Sequence, residues 1–118
     1  MPAIDIAHAF TALCAESSKD AHRYWSDDVV SIEAMPGPFQ IARGRAELEA
    51  KHAAWGSMMT VHGVKTEGPF VMGDQFVVRF ELDATGPDGK RFTMTEAGLY
   101  TVKGNLITEE RFMPLLKS

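Results

Sequence analysis

Cysteine is nearly absent from this chain. Cys14 stands alone among 118 residues, so no internal disulfide forms and the expected setting is a reducing, cytoplasmic one. The four histidines show neither His-x-His nor His-Glu-x-x-His spacing, which argues against a zinc or iron centre. There is no glycine-rich phosphate loop and no Gly-x-Ser-x-Gly elbow, so neither a nucleotide cofactor nor the usual serine hydrolase arrangement is expected. No cofactor and no metal are therefore anticipated. Net charge is −4 without a basic cluster, which sets nucleic acid and anionic membranes aside as partners. No run of about 18 apolar residues exists to span a bilayer. The opening MPAIDIAHAF lacks the basic region and long apolar stretch of a signal peptide. Repeats, low-complexity segments and linkers are missing too. A length of 118 residues with 45% hydrophobic content fits one domain, residues 1–118, around one core.

What is present is concentrated between Asp74 and Met113. Three alternating runs, Gln75–Ala84, Arg91–Val102 and Leu106–Met113, read as consecutive strands joined by turns at Pro87-Asp88-Gly89 and Lys103-Gly104-Asn105. With two-residue turns at Asp88-Gly89 and Gly104-Asn105, Glu81 lies opposite Glu96, and Gly98 lies opposite both Arg79 and Arg111. One face then carries Arg79, Glu81, Met94, Glu96, Gly98, Tyr100, Glu109, Arg111 and Met113. The other carries Phe76, Val78, Phe80, Thr93, Thr95, Leu99 and Phe112. Two readings stay open for the charged face: a solvated exterior, or the lining of a polar pocket.

Upstream, Ile6, Phe10, Leu13 and Cys14 give helical spacing over Ile4–Glu16. Cys14 is expected as a small core residue. Ser17 or Ser18 caps a second short helix through Trp25. Ser26-Asp27-Asp28 breaks that helix, and Val29–Met35 reads as a strand with Glu33 in an otherwise apolar run. An irregular loop follows to Arg43. A third helix spans Arg45 to about Trp55, placing Leu48, His52 and Trp55 on one face. His8 and His22 are expected at surfaces or helix ends. Met59–Glu67 reads as a further strand, Phe70-Val71-Met72 as a short apolar piece, and Leu115–Ser118 as a tail.

This order of elements resembles the nuclear transport factor 2-like superfamily. The local marks are Tyr24-Trp25-Ser26-Asp27-Asp28-Val29-Val30, then Ala42-Arg43-Gly44-Arg45-Ala46, then Lys103-Gly104-Asn105-Leu106-Ile107 running into Glu109-Glu110-Arg111-Phe112. They look most like the SnoaL-like branch, which includes polyketide cyclases. The resemblance implies an α+β roll of the cystatin-like kind, a cone-shaped, strongly curved antiparallel sheet wrapped around three helices in the N-terminal half. It also favours the inward reading of the charged face. In ketosteroid isomerase, a superfamily member, the general-base carboxylate lies five residues after the second Asp of an Asp-Asp pair, which here is Glu33. Its second carboxyl lies eight residues before the glycine of the last hairpin, which here is Glu96. The isomerase's oxyanion tyrosine falls near Ala9 or Phe10, neither of which donates. Arg79-Phe80-Glu81 is similar to the Arg-x-Asp of limonene epoxide hydrolase, but Arg111 and Glu109 replace that enzyme's other aspartate and its tryptophan, so its activity is not carried over.

The resulting expectation is a pocket for a small hydrophobic molecule. Glu33 and Glu96 act as base and acid of a cofactor-free isomerase, cyclase or hydrolase, because paired carboxyls held at different pKa values suit such chemistry. Arg79, Glu81, Glu109, Arg111 and Tyr100 contact the ligand. Trp55, Met35, Met94 and Met113, with Phe39 and Phe92, supply an apolar wall. The alternatives are a non-catalytic ligand-binding protein and a dimeric interaction domain of the same fold. A homodimer is expected through the sheet face bearing Phe76, Val78, Phe80, Thr93, Thr95, Leu99 and Phe112.

Overall fold

Apolar side chains at Ile6, Ala7 and Phe10 form one buried stripe, and this stripe makes the first helix, α1 (Ala3–Ala15), amphipathic and docks it on the sheet. The computed structural model describes residues 3–16, 18–38 and 40–115. Ser17, Phe39 and the end of the expected tail lie outside them. Ser18 caps a 3-10 segment, Lys19–Tyr24, through its Oγ, which accepts the Asp20 N–H at 3.1 Å. Strand β1 (Trp25–Ile32) begins at once, running through Ser26-Asp27-Asp28. A short β2 (Ile41–Arg43) pairs back onto it in what the sequence suggested was irregular loop. Helix α2 (Arg45–Met58) starts at Gly44, whose φ of 85° suits glycine; the Glu47 carboxylate accepts the Arg43 N–H at 3.0 Å and closes that end. Then come β3 (Thr60–Met72), β4 (Gln75–Thr85), β5 (Arg91–Lys103) and β6 (Leu106–Pro114). β3 is one strand with two bulges, not a strand and a separate apolar piece.

The six strands lie in the order β2-β1-β6-β5-β4-β3. All neighbours are antiparallel except β1 and β6, which run parallel. The expected cone, a strongly curved antiparallel sheet wrapped around three helices, is corrected by this arrangement. The sheet is mixed and open, with β2 and β3 as its two edges. The helices flank it rather than forming one enclosed block; α2 follows two strands, and one of the three is a six-residue 3-10 segment. The α+β class stands.

Register is the second correction. The β4–β5 loop holds three residues, Pro87-Asp88-Gly89. Gly86 donates to the Lys90 carbonyl at 3.0 Å, and Gly89, at φ 78°, donates to the Gly86 carbonyl at 3.0 Å. One extra loop residue moves the pairing by one, so Phe80 faces Glu96 and Arg79 faces Ala97. The β5–β6 turn is the expected two-residue Gly104-Asn105, both residues at positive φ, with Lys103 opposite Leu106. Past Val102↔Ile107 the register shifts, leaving Thr108 as an extra residue, so Thr101 faces Glu109 and Tyr100 faces Glu110.

Both helices cover the same face. There Phe10 meets Phe76 and Tyr100 edge-on, Tyr100 stacks on Phe76 at 4.8 Å, and Leu48, Val78 and Ile107 complete the core. Gly98, opposite Val78 and Phe112, is the close-approach point. A Cβ there would sit 2.9 Å from Tyr100 Cε2 and Oη and 3.1 Å from Phe112 Cε1. No helix among the described residues is long and apolar enough to cross a membrane. Gly98→Ala is expected to cost about 1–3 kcal/mol by displacing both rings. The loss would be read as a lower thermal midpoint by circular dichroism; an unchanged midpoint would mean that the rings have room.

Candidate functional site

Strands β5 and β6 each send one carboxyl toward the helices, because Glu96 and Glu110 alternate with outward residues on the shifted register. Both line a cleft of about 1130 Å³, together with Phe10, Trp25, Trp55, Phe80, Tyr100 and Phe112. Glu110 is 2% exposed and its Oε1 has no hydrogen-bond partner. Burial pushes the Glu110 carboxyl up to about 7; the Ser31 hydroxyl and the Lys51 charge pull it down, while Glu33 and Glu96 push it further up. Burial also drives Glu96 up to about 7, helped by Glu33 and opposed by Lys51. Tyr100, fully buried beside them, is raised well above its ordinary range by burial and by Glu110, and stays a neutral phenol.

Lys51 reaches in from α2. Its Nζ lies 2.5 Å from Glu33 Oε1 and 2.9 Å from Ser31 Oγ, and it sits 5.4 Å from the Phe112 ring centre. Glu33, just past the end of β1, donates its backbone N–H to the Gln40 carbonyl at 2.7 Å. Its carboxylate is paired, not free. Towards the other end, His22 stacks on Trp25 at 4.0 Å, and His52 lies 5.1 Å from His22. Desolvation lowers the His52 pKa, and the charges of His22 and Lys51 lower it further. Arg45 bonds the His22 and Trp25 carbonyls at 2.9 and 2.8 Å, fixing that corner. Cys14 also lines the cleft, but burial and Glu110 hold its thiol at about 12, so it is an unreactive thiol. Among the described residues, no three His, Cys, Asp or Glu side chains converge to hold a metal.

The residues expected from the sequence divide between the two sheet faces. Glu96, Tyr100 and Met94 face inward, Trp55 lines the cleft from α2, and Glu33 stands beside it through Lys51. Arg79, Glu81, Glu109, Arg111 and Met113 are on the opposite face, carried there by the one-residue shifts. There Arg79 pairs with Glu67 at 3.7 Å and Glu81 at 3.9 Å, and Arg111 with Glu109 at 3.2 Å. Such exposed pairs are worth ~0–1 kcal/mol. Met35 is 68% exposed and forms no wall. The dimer face is corrected in the same way: Phe76, Val78, Phe80 and Phe112 point into the core, while Thr93, Thr95 and Leu99 point out. Sequence reasoning missed Glu110, Lys51 and Ser31 as site residues. Lys51 carried a signal, being three residues after Leu48 on the inward stripe of α2. Ser31 and Glu110 are register partners across β1 and β6, a parallel pairing that the sequence does not announce.

The profile of the SnoaL-like domain matches residues 1–113. The chain belongs to the SnoaL-like family. Among solved structures, a candidate SnoaL-like polyketide cyclase from Mesorhizobium loti, also called a carbohydrate phosphatase, is 44% identical with a TM-score of 0.92; the match covers 96% of this chain and 99% of that one. A protein of ketosteroid isomerase-like fold from Catenulispora acidiphila, in complex with trimethylamine, is 18% identical (TM-score 0.74, covering 92% and 83%). TerC, co-crystallised with polyporic acid, is 16% identical (TM-score 0.75, covering 98% and 92%). These last two share the fold. No curated protein matches the chain.

A carboxyl raised from 4.5 to about 7 binds a proton in the folded chain over a range where the unfolded chain has lost it. Glu110 therefore favours folding at low pH, and its contribution is lost as pH rises from about 4.5 through 7, by an amount of order 3 kcal/mol if it titrates alone. Glu110→Gln is expected to remove that part of the decline, measured by urea unfolding at pH 5 and pH 8. Parallel pH profiles for the two proteins would contradict the burial argument.

Proposed function

We propose that the chain is an acid–base enzyme acting on a small hydrophobic molecule, with Glu96 as its proton-transferring group and Glu33 acting through Lys51. One observation carries the reading: two carboxyls from adjacent strands, Glu96 and Glu110, line one aromatic-walled cleft with pKa values near 7. At neutral pH such a pair offers an acid and a base together, as isomerisation, cyclisation or water activation requires. Phe80, Tyr100, Phe112 and Trp55 provide the apolar surface. The alternative is a binding protein without chemistry; the small molecules held by the two distant relatives favour it. A base-sensitive probe, 5-nitrobenzisoxazole, separates the readings without knowledge of the substrate. Ring opening is expected above the buffer rate, rising with pH through about 7, and Glu96→Gln is expected to lower the excess rate about 100-fold. If Glu96→Gln leaves that rate unchanged, Glu96 is not the base.

The sheet face away from the helices supports a homodimer. Val77, Leu99, Ala97 and Phe70 lie together there, with none of the described elements over them. Sedimentation velocity at micromolar concentration is expected to give twice the 13.0 kDa chain mass, and Leu99→Glu to give the single mass. A monomeric parent protein would end this reading.

A further inference from the structure

We propose that Lys51 is the positioning residue of this cleft: its ammonium, held between Glu33, Ser31 and the Phe112 ring, sets the charge balance that decides whether Glu96 and Glu110 stand as acids or as carboxylates. The inference rests on the acid–base reading above and goes beyond it, since Lys51 itself transfers no proton.

Lys51 sits on the turn of α2 that faces β1 and β6 and is only 13% exposed at its side chain. Three carboxyls bear on it from three separate parts of the chain: Glu33 after β1, Glu96 on β5 and Glu110 on β6. On its own helix the neighbouring titratable group is His52, which its charge helps keep neutral. One cation thus stands against three carboxyls in partly dry surroundings, where charges interact far more strongly than in water. Glu33 claims the cation directly at 2.5 Å, so only part of its field is left for the other two carboxyls. Ser31 links the pair to Glu110. Its Oγ accepts from Lys51 at 2.9 Å, and its hydroxyl, having one proton to donate, is left to serve the Glu110 carboxyl, its register partner across β1 and β6. Losing the ammonium removes a charge and also frees the hydroxyl to turn. Losing the Glu33 charge has the opposite effect, because it removes one repulsive neighbour while the Lys51 charge stays.

The two substitutions therefore move the site in opposite directions, which a general loss of structure does not do. The experiment is a carbon-13 NMR titration of the glutamate side-chain carboxyls in the parent protein, Lys51→Met, Lys51→Arg and Glu33→Gln. Glu96→Gln and Glu110→Gln assign the resonances. Lys51→Met is expected to raise both titration midpoints by about one pH unit, Glu33→Gln to lower both, and Lys51→Arg to keep them within about half a unit of the parent. Midpoints unmoved in Lys51→Met, or moved upward in both Lys51→Met and Glu33→Gln, overturn the proposal. If Lys51→Met does not fold, Lys51→Gln takes its place: an upward shift of both midpoints supports the proposal, and unmoved or lowered midpoints overturn it. Because the readout is titration and not turnover, a failure here is distinct from a failure of Glu96 in the benzisoxazole assay.

Discussion

Thr108 is one residue too many for β6, and the inner chemistry depends on the step it makes. Before it, Val102 faces Ile107; after it, Thr101 faces Glu109. That step turns Glu110 and Phe112 toward the helices and Glu109 and Arg111 to the other side of the sheet. The three-residue loop after β4 makes the matching step on β5, so that Glu96 and Tyr100 join Phe76, Val78 and Phe80 under the helices. Had either step been absent, one strand would present its arginine to the core. Gly98 then lets the Tyr100 and Phe112 rings close at the centre of this face, with Phe10 of α1 above Tyr100.

Putting carboxyls inside has a cost, and the fold meets it only in part. Glu33 is neutralised by Lys51, while Glu110 keeps an oxygen without a partner and Glu96 is mostly buried. An apolar residue at Glu110 would avoid the penalty of an unpartnered polar atom. Such a group sits in the wall of the cleft, beside a second carboxyl and near Lys51, and it is the group on which the proposed acid–base role draws. The exposed pairs on the outer face, Arg79 with Glu67 and Glu81, and Arg111 with Glu109, involve the same residue types in water and add little.

Family membership fixes the frame without fixing the reaction. The relative that shares 44% of its residues spans nearly the same length, and the more distant relatives share the fold over most of the chain. One fold hosts many activities, so the reading of function rests on this chain's own carboxyls and on the lysine between them.

By itself the sequence determined most of the elements and the family. Periodicity located α1, α2 and the last three strands, and the order of elements pointed to the superfamily. It also singled out Glu96, Tyr100 and Trp55, which line the cleft, and Glu33, which is tied to Lys51. Tertiary structure alone decided which face each strand presents. A single extra residue in a loop or a bulge reverses every side chain beyond it, and nothing in local propensity marks a bulge at Thr108. It alone brought β1 alongside β6, so that Ser31 meets Glu110 and Lys51 reaches both Ser31 and Glu33 from a helix about twenty residues away. Local rules read neighbours along the chain. This site is built from residues that become neighbours only when a parallel pairing and two one-residue steps are in place.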